Sequence, residues 1–367
     1  MKQRAMTSVS RRHAGRGFTL VELMVAVAIG LFLVAAIGGV FVSSKRSFWA
    51  TNAITTMDDT ARAVFDLMGT SIRQAGFNGC QRMVGSVNGD TRAVAYDPAA
   101  GWWTKVGTPV QAYVAPAVDG NFAASVATPV QGTEVLRLIG VDPTREASVI
   151  SDDPDSATIT TGNHPFQNGQ TLLATSCLFN SFFTMTGGTA TTITYTAAGG
   201  NCSANLAAAA CDDVAGAEAD AASALPVGAS ILPVVATVWF VAPSSAAGKG
   251  NSLWGGSTGL QTRPEAAATE LVNGVENLAF EFGVDTIGDG SSLQWQTTDS
   301  VPDWNLVRAV RVHLLLSTLP DSGASAVGDN ATVRFNDQDY TSSTTPAIDP
   351  RRVYREYTAI FTLRNKM

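Results

Sequence analysis

The chain has 367 residues, of which 45% are hydrophobic, 15% charged and 8% aromatic, with 34 Gly and 15 Pro. That apolar content excludes a disordered chain, and the presence of a single long apolar run excludes a polytopic membrane protein. The formal net charge is −7, yet residues 1–17 hold Lys2, Arg4, Arg11, Arg12 and Arg16 and no acid; without those five bases, 19 Lys and Arg face 31 Asp and Glu, a net of −12. So acidic a remainder argues against bulk binding of nucleic acid, which needs cations to displace condensed counterions.

The basic leader, residues 1–17, meets an apolar run at residues 18–42 that is interrupted only by Glu22. At about 1.5 Å per residue this run spans a bilayer core of about 30 Å as a transmembrane helix. A secretory signal peptide has a shorter apolar core followed by its cleavage site, whereas here Gly17 precedes the run. The leader outnumbers Lys45 and Arg46 in positive charge, which keeps residues 1–17 cytoplasmic and sets everything after Arg46 outside the inner membrane. A carboxylate near a bilayer centre costs ~2.5–3.5 kcal/mol, so Glu22 needs an outlet. Either it snorkels to the interface, or it meets the amine that cleavage after Gly17 frees on Phe18 of a neighbouring subunit.

From residue 43 the apolar spacing becomes one-sided: Met57, Ala61, Val64, Phe65, Met68, Ile72 and Ala75 fall on one helical face. No proline occurs between Phe18 and Ala75, and Gly76 with Asn78-Gly79 supplies a stop. Residues 43–75 therefore read as an amphipathic continuation of the helix, lying on a head formed by residues 76–367. The head reads as β-rich. Alternation is clear at Leu278–Val284, Val310–Leu316 and Tyr357–Leu363, and weaker at Glu134–Val141, Gln170–Thr175, Thr191–Thr196 and Ile231–Ala242. The fold class expected is α+β: a long N-terminal helix on antiparallel strands with one apolar and one wet face, arranged as two sheets or one extended sheet. Between Arg145 and Lys249 there is no Lys or Arg, while eight acids occur. Within it, the Ala-rich stretch 205–224 reads equally as a short helix or an insertion.

Residues 16–24, RGFTLVELM, resemble the processing motif of type IV pilins and type II secretion pseudopilins. The resemblance implies that a membrane prepilin peptidase cuts after Gly17 and methylates Phe18, and that Glu22 serves assembly. Ala61-Arg62, Asp66-Leu67, Ile72–Phe77, Gly79-Cys80, Leu271–Asp285 and the end Leu363-Arg364-Asn365 are similar to the PilW family of minor pilins. That similarity implies a subunit that primes pilus assembly with other minor pilins, the major pilin and a tip adhesin, first in the inner membrane with its head in the periplasm and then in the pilus. The alternatives are a minor pseudopilin of type II secretion and a pilus-borne adhesion or DNA-capture subunit. The residues without a Lys or Arg speak against DNA.

The four cysteines, Cys80, Cys177, Cys202 and Cys211, lie on the side where disulfides persist, and they contain no C-x-x-C pair. Of the three pairings, Cys202–Cys211 with Cys80–Cys177 is favoured, the second tying the helix end to the head; two free buried thiols are the alternative. Asp285 and Asp289 sit in a DTIGDG stretch that resembles part of a Ca²⁺ loop, but Ile287 occupies a ligand position, so a turn is the better reading and no metal or cofactor is expected. His13, His164 and His313 fall in no catalytic motif, and no nucleophile elbow, zinc helix or phosphate loop is present, so no enzyme is expected. Trp102-Trp103 reads either as loop packing or as an exposed binding platform.

Overall fold

The computed structural model describes residues 18–77, 91–93, 101–115, 127–176, 180–201, 204–206, 224–260, 262–287, 292–318 and 332–363, and the chain divides into two compact units after Asn52. Helix α1 runs from Leu20 to Gln74. Its character changes along its length, as the pattern of side chains dictates. Phe18 to Phe48 expose every large apolar side chain, whereas Ala53, Met57, Ala61, Val64, Met68, Ile72 and Ala75 are buried, at steps of three and four that trace one face. The helix stops where Gly76 takes a φ of 69°, a left-handed conformation that costs glycine nothing. Its N–H then donates to the Ile139 carbonyl at 2.9 Å, which fastens the helix end to the sheet.

Eighteen strands follow among the described residues. The first are β1 (Thr91–Ala93), β2 (Val110–Val114), β3 (Glu134–Val141), β4 (Ala147–Asp153), β5 (Thr158–Thr161) and β6 (Thr171–Thr175). Next come β7 (Asn180–Thr184), β8 (Gly187–Gly188), β9 (Thr192–Thr194), β10 (Ser230–Pro243), β11 (Asn251–Gly259) and β12 (Thr269–Asn273). The last are β13 (Val275–Val284), β14 (Gln294–Thr297), β15 (Val307–Ser317), β16 (Val333–Phe335), β17 (Gln338–Tyr340) and β18 (Tyr354–Thr362). A large sheet is assembled on β10, a separate sheet runs β14-β13-β15-β18, and β16 and β17 form a hairpin. Pairing in both sheets is antiparallel apart from the parallel join of β1 to β7.

Strand β10 changes partners along its length. Ser230–Pro233 pair with β6, and the residues from Val234 on pair with β3 and β11. Pro233, which has no N–H to give, sits at the handover. The strand is buried on both faces: Leu232, Val234, Ala236, Val238, Phe240 and Ala242 join Trp102, Phe182 and Trp254, while Trp239 and Val241 face the α1 core. The expectation of one apolar and one wet face therefore fails for β10, because a spine strand with layers on both sides has no wet face. The C-terminal sheet departs from it as well. Its inner face, with Leu278, Phe280, Phe282, Val310, Val312 and Leu314, packs on Met57, Val64, Met68 and Ile72 of α1. Its outer face is partly covered, since Phe335, Tyr340 and Ile348 lie on Ala279 and Leu315. A further cluster, with Ile159, Phe183, Ile193 and Tyr195, holds β4 to β9 together.

One buried carboxylate joins the two sheets. Glu134, at the start of β3, accepts from the Phe280 N–H at 2.7 Å and the Thr298 hydroxyl at 2.6 Å. Burial pushes its carboxyl up to about 7, with Asp299 and Glu281 adding repulsion to a rise that those two hydrogen bonds only moderate. A carboxyl raised above its ordinary value keeps its proton longer in the folded head than in the unfolded chain. Its stabilising share is complete below pH 4.5 and is lost as the pH climbs to 7. Glu270 acts in the opposite sense: burial pulls it up, but the hydroxyls of Ser244, Ser245 and Ser252 hold it at about 2, so its share is present above pH 4.5 and lost toward pH 2. We predict that Glu134→Gln, whose carbonyl still accepts both bonds, is more stable than the wild type at pH 8 by about 1–3 kcal/mol and shows no gain at pH 4. Urea melts at the two pH values check this.

Candidate functional site at the helix N-terminus

Phe18 is 84% exposed, and Thr19 begins the helix as its N-cap. The Thr19 N–H and its hydroxyl both donate to Glu22 Oε2 at 3.0 Å, and the Glu22 N–H donates back to Thr19 Oγ1 at 3.2 Å. This is a capping box, in which two otherwise unpaired helix donors are satisfied reciprocally. Glu22 therefore already has a partner within its own chain, a third outlet beside the two read from the sequence. The T-x-x-E spacing of Thr19-Leu20-Val21-Glu22 carries the pattern in plain view. Both bonds from Thr19 fall on Oε2, which leaves Oε1 open to a further donor. From Leu20 to Val42 the helix is apolar all round and exposed, and it is long and apolar enough to cross a membrane. Gly30, Gly38 and Gly39 leave open space where a Cβ would sit, so nothing in this unit demands glycine there.

The other singled-out residues fall into different settings. Gly17, His13, Asp289, Cys80, Cys177, Cys202, Cys211 and most of the Ala-rich stretch lie outside the described residues. Asp285 is buried 3.7 Å from the Arg308 guanidinium, and its N–H donates to the Leu306 carbonyl, so a cation there would have to displace an arginine. Among the described residues no group of three His, Cys, Asp and Glu is arranged to hold a metal. Trp102 is core: its indole N–H donates to the fully buried Glu265 at 2.8 Å, and Arg137 is stacked between the Trp102 and Tyr113 rings, 4.9 and 4.4 Å from their centroids. The platform alternative for Trp102-Trp103 is set aside accordingly. His164 stacks on Phe166, and His313 stands between two carboxylates, 2.9 Å from Glu356 Oε1 and 3.3 Å from Glu281 Oε2. The Thr358 hydroxyl also lies 3.4 Å from His313 Nδ1.

Residues 12–38 match the prokaryotic N-terminal methylation motif, and Gly17, the capped Glu22 and the first part of the apolar helix lie within that stretch. A methylation motif that runs straight into an apolar helix, ahead of a β-sheet head, is the layout of a type IV pilin. Residues 238–365, from the middle of β10 through β18, match the family described as type IV pilus-assembly protein W. The chain thus carries a PilW domain in its C-terminal third behind an N-terminal methylation motif. A solved type IV-like pilin from Thermus thermophilus is similar at 18% identity, covering 36% of this chain and 69% of that one, with a TM-score of 0.22, too loose a superposition to add to the assignment. Comparison with curated protein sequences gives no match.

The capping box can be tested by itself. Thr19→Ala should cost about 1 kcal/mol of helix N-terminal stability. Amide exchange in detergent micelles should show the turn from Leu20 to Leu23 fraying in that variant and intact in Thr19→Ser.

Proposed function

We propose that the chain is cut after Gly17, held in the inner membrane by residues 18–42 with its head in the periplasm, and built into a type IV pilus with other minor pilins, whose assembly it helps to prime. The observation that carries this reading is Glu22, the only ionisable side chain in residues 18–42, capped by Thr19 through one oxygen and free at the other. A carboxylate retained in so apolar a segment is costly unless it meets a cation in assembly, and the amine of Phe18 on a neighbouring subunit supplies one. The work is structural. The PilW domain favours the pilus over a secretion pseudopilin.

The capping box separates charge from helix initiation. Glu22→Gln retains a capping side chain, whereas Glu22→Leu removes both cap and charge. Both variants should be processed and reach wild-type membrane levels, and both should be depleted from pili in a deletion background. If the Gln variant restores pilus number fully, the carboxylate has no pairing role.

We also propose the Cys80–Cys177 bond. Phe77 and Ser176 line one cavity of about 540 Å³, which brings the chain within three residues of Cys80 and one of Cys177 to a common place. Alkylation of the mature protein without reductant should leave both thiols unlabelled; labelling of either removes the tie.

A further inference from the structure

The C-terminal sheet ends in β18, which is bonded to β15 on one side only among the described residues. The direction of each of its main-chain groups follows from two bonds at the strand's ends. The Leu363 N–H donates to the Arg308 carbonyl, and the Val353 carbonyl accepts from Thr318, so odd-numbered residues turn toward β15. Thr358, Ile360 and Thr362 therefore turn their N–H and C=O groups away from the sheet, and their side chains are exposed. Exposed edges usually carry a device against further pairing: a charge, a proline, a bulge or very short length. The stretch Thr358–Thr362 has none of these, being uncharged, free of proline and in unbroken register with β15. The other free ends of the two sheets contrast with it: β1, β8 and β14 have two to four residues, β12 has five with Glu270 on it, and β2, though uncharged, has no exposed residue.

We propose that the outer edge of β18 takes up an extended segment of a neighbouring pilus subunit as a fifth strand of this sheet. The inference rests on the pilus reading above. Main-chain bonds supply the attraction, and Ile360, 54% exposed between two threonines, favours an uncharged, β-branched stretch opposite it. A second copy of β18 does not fit. Pairing two identical edges requires a two-fold axis normal to the sheet, which reverses every direction in its plane. The α1 segment runs along β18, with Asp58 bonded to Tyr357 and Gly69 and Arg73 at Phe361. Self-pairing would set the two α1 segments packed on β18 antiparallel, whereas the heads of subunits related by a fibre's helical repeat share a single direction.

The test uses the full-length chain in cells that make pili, with Ile360→Pro, which deletes one outward N–H, and Ile360→Thr, which keeps it. A proline whose N–H faced away from the sheet leaves its own ladder intact. The Pro variant should match the wild type in resistance to proteolysis yet fall about tenfold in sheared fibres, while the Thr variant stays within about twofold. Wild-type incorporation by the Pro variant, or equal loss in both variants, overturns the inference. Amide exchange gives a reading that needs no variant and serves if the Pro variant misfolds. Thr358, Ile360 and Thr362 should exchange freely in the purified, detergent-solubilised chain and be protected in fibres. Free exchange in fibres overturns the inference, and protection in the purified chain overturns it in favour of self-pairing. Absence of the wild-type chain from fibres overturns the pilus reading itself and this inference with it.

Discussion

The stripe Met57, Ala61, Val64, Met68 and Ile72 is the surface on which the head is organised. These side chains are almost wholly buried, and they meet residues of both sheets: Leu136 and Leu138 of β3, Trp239 of β10, and Phe280, Val312 and Leu314 of the C-terminal sheet. Burial of each of the larger side chains, Met57, Val64, Met68 and Ile72, stabilises by about 1.5–3 kcal/mol. The stripe, Leu136 and Leu138 of β3 and Phe280 of β13 share one cluster, so the helix completes a core that the two sheets also build on each other. The polar contacts at the same surface are few and specific: Trp239 donates to Ser71, and Tyr357 to Asp58 at 2.6 Å. Close approach is enforced where no side chain intervenes. Gly140 lies against the last turn of α1, where a Cβ would come within 2.8 Å of the Gln74 carbonyl.

Much of this was legible in the residues. A proline-free helical period ending at Gly76 identifies α1, and two-residue alternation identifies β13, β15 and β18, because in each case the burial pattern repeats with the backbone geometry. β10 was harder, since burial on both faces erases alternation and leaves a plain apolar run. Strands of two to five residues, such as β5, β8, β9, β16 and β17, contain too few positions to show a period at all. The cover on the outer face of the C-terminal sheet depends on Phe335, Tyr340 and Ile348, distant in sequence from Ala279 and Leu315, and long-range contacts leave no local mark. At the candidate site the carboxylate was evident from its cost in an apolar run. Its partner Thr19 stands three residues away, and the T-x-x-E spacing marks that bond within one turn without any reference to a neighbouring subunit.

Charge is distributed by layer. The C-terminal sheet and the residues around it use ion pairs, with Arg308 on Asp285, Arg311 on Glu281 and Arg352 on Glu276, all at least half-buried. The layer of β4, β5 and β9 instead uses hydroxyls: Asp152 accepts from the Tyr195 phenol at 2.8 Å and from the Leu225 amide at 2.8 Å. With no Lys or Arg between Arg145 and Lys249, acids there can be satisfied only by neutral donors or by residues from other segments. Neutral partners are insensitive to salt, so this layer should keep its contacts at ionic strengths that screen exposed pairs elsewhere.

The shared strand β10 has a mechanical meaning. Ser230–Pro233 belong to the layer built on β6, and Val234–Pro243 to the layer of β3 and β11. Tension that would draw the two layers apart along this strand is carried by its covalent backbone rather than by a seam of hydrogen bonds. Under such a load the two layers part only when β10 is sheared out of its ladders on one side, and a head built into a fibre would carry traction along this strand in the same way.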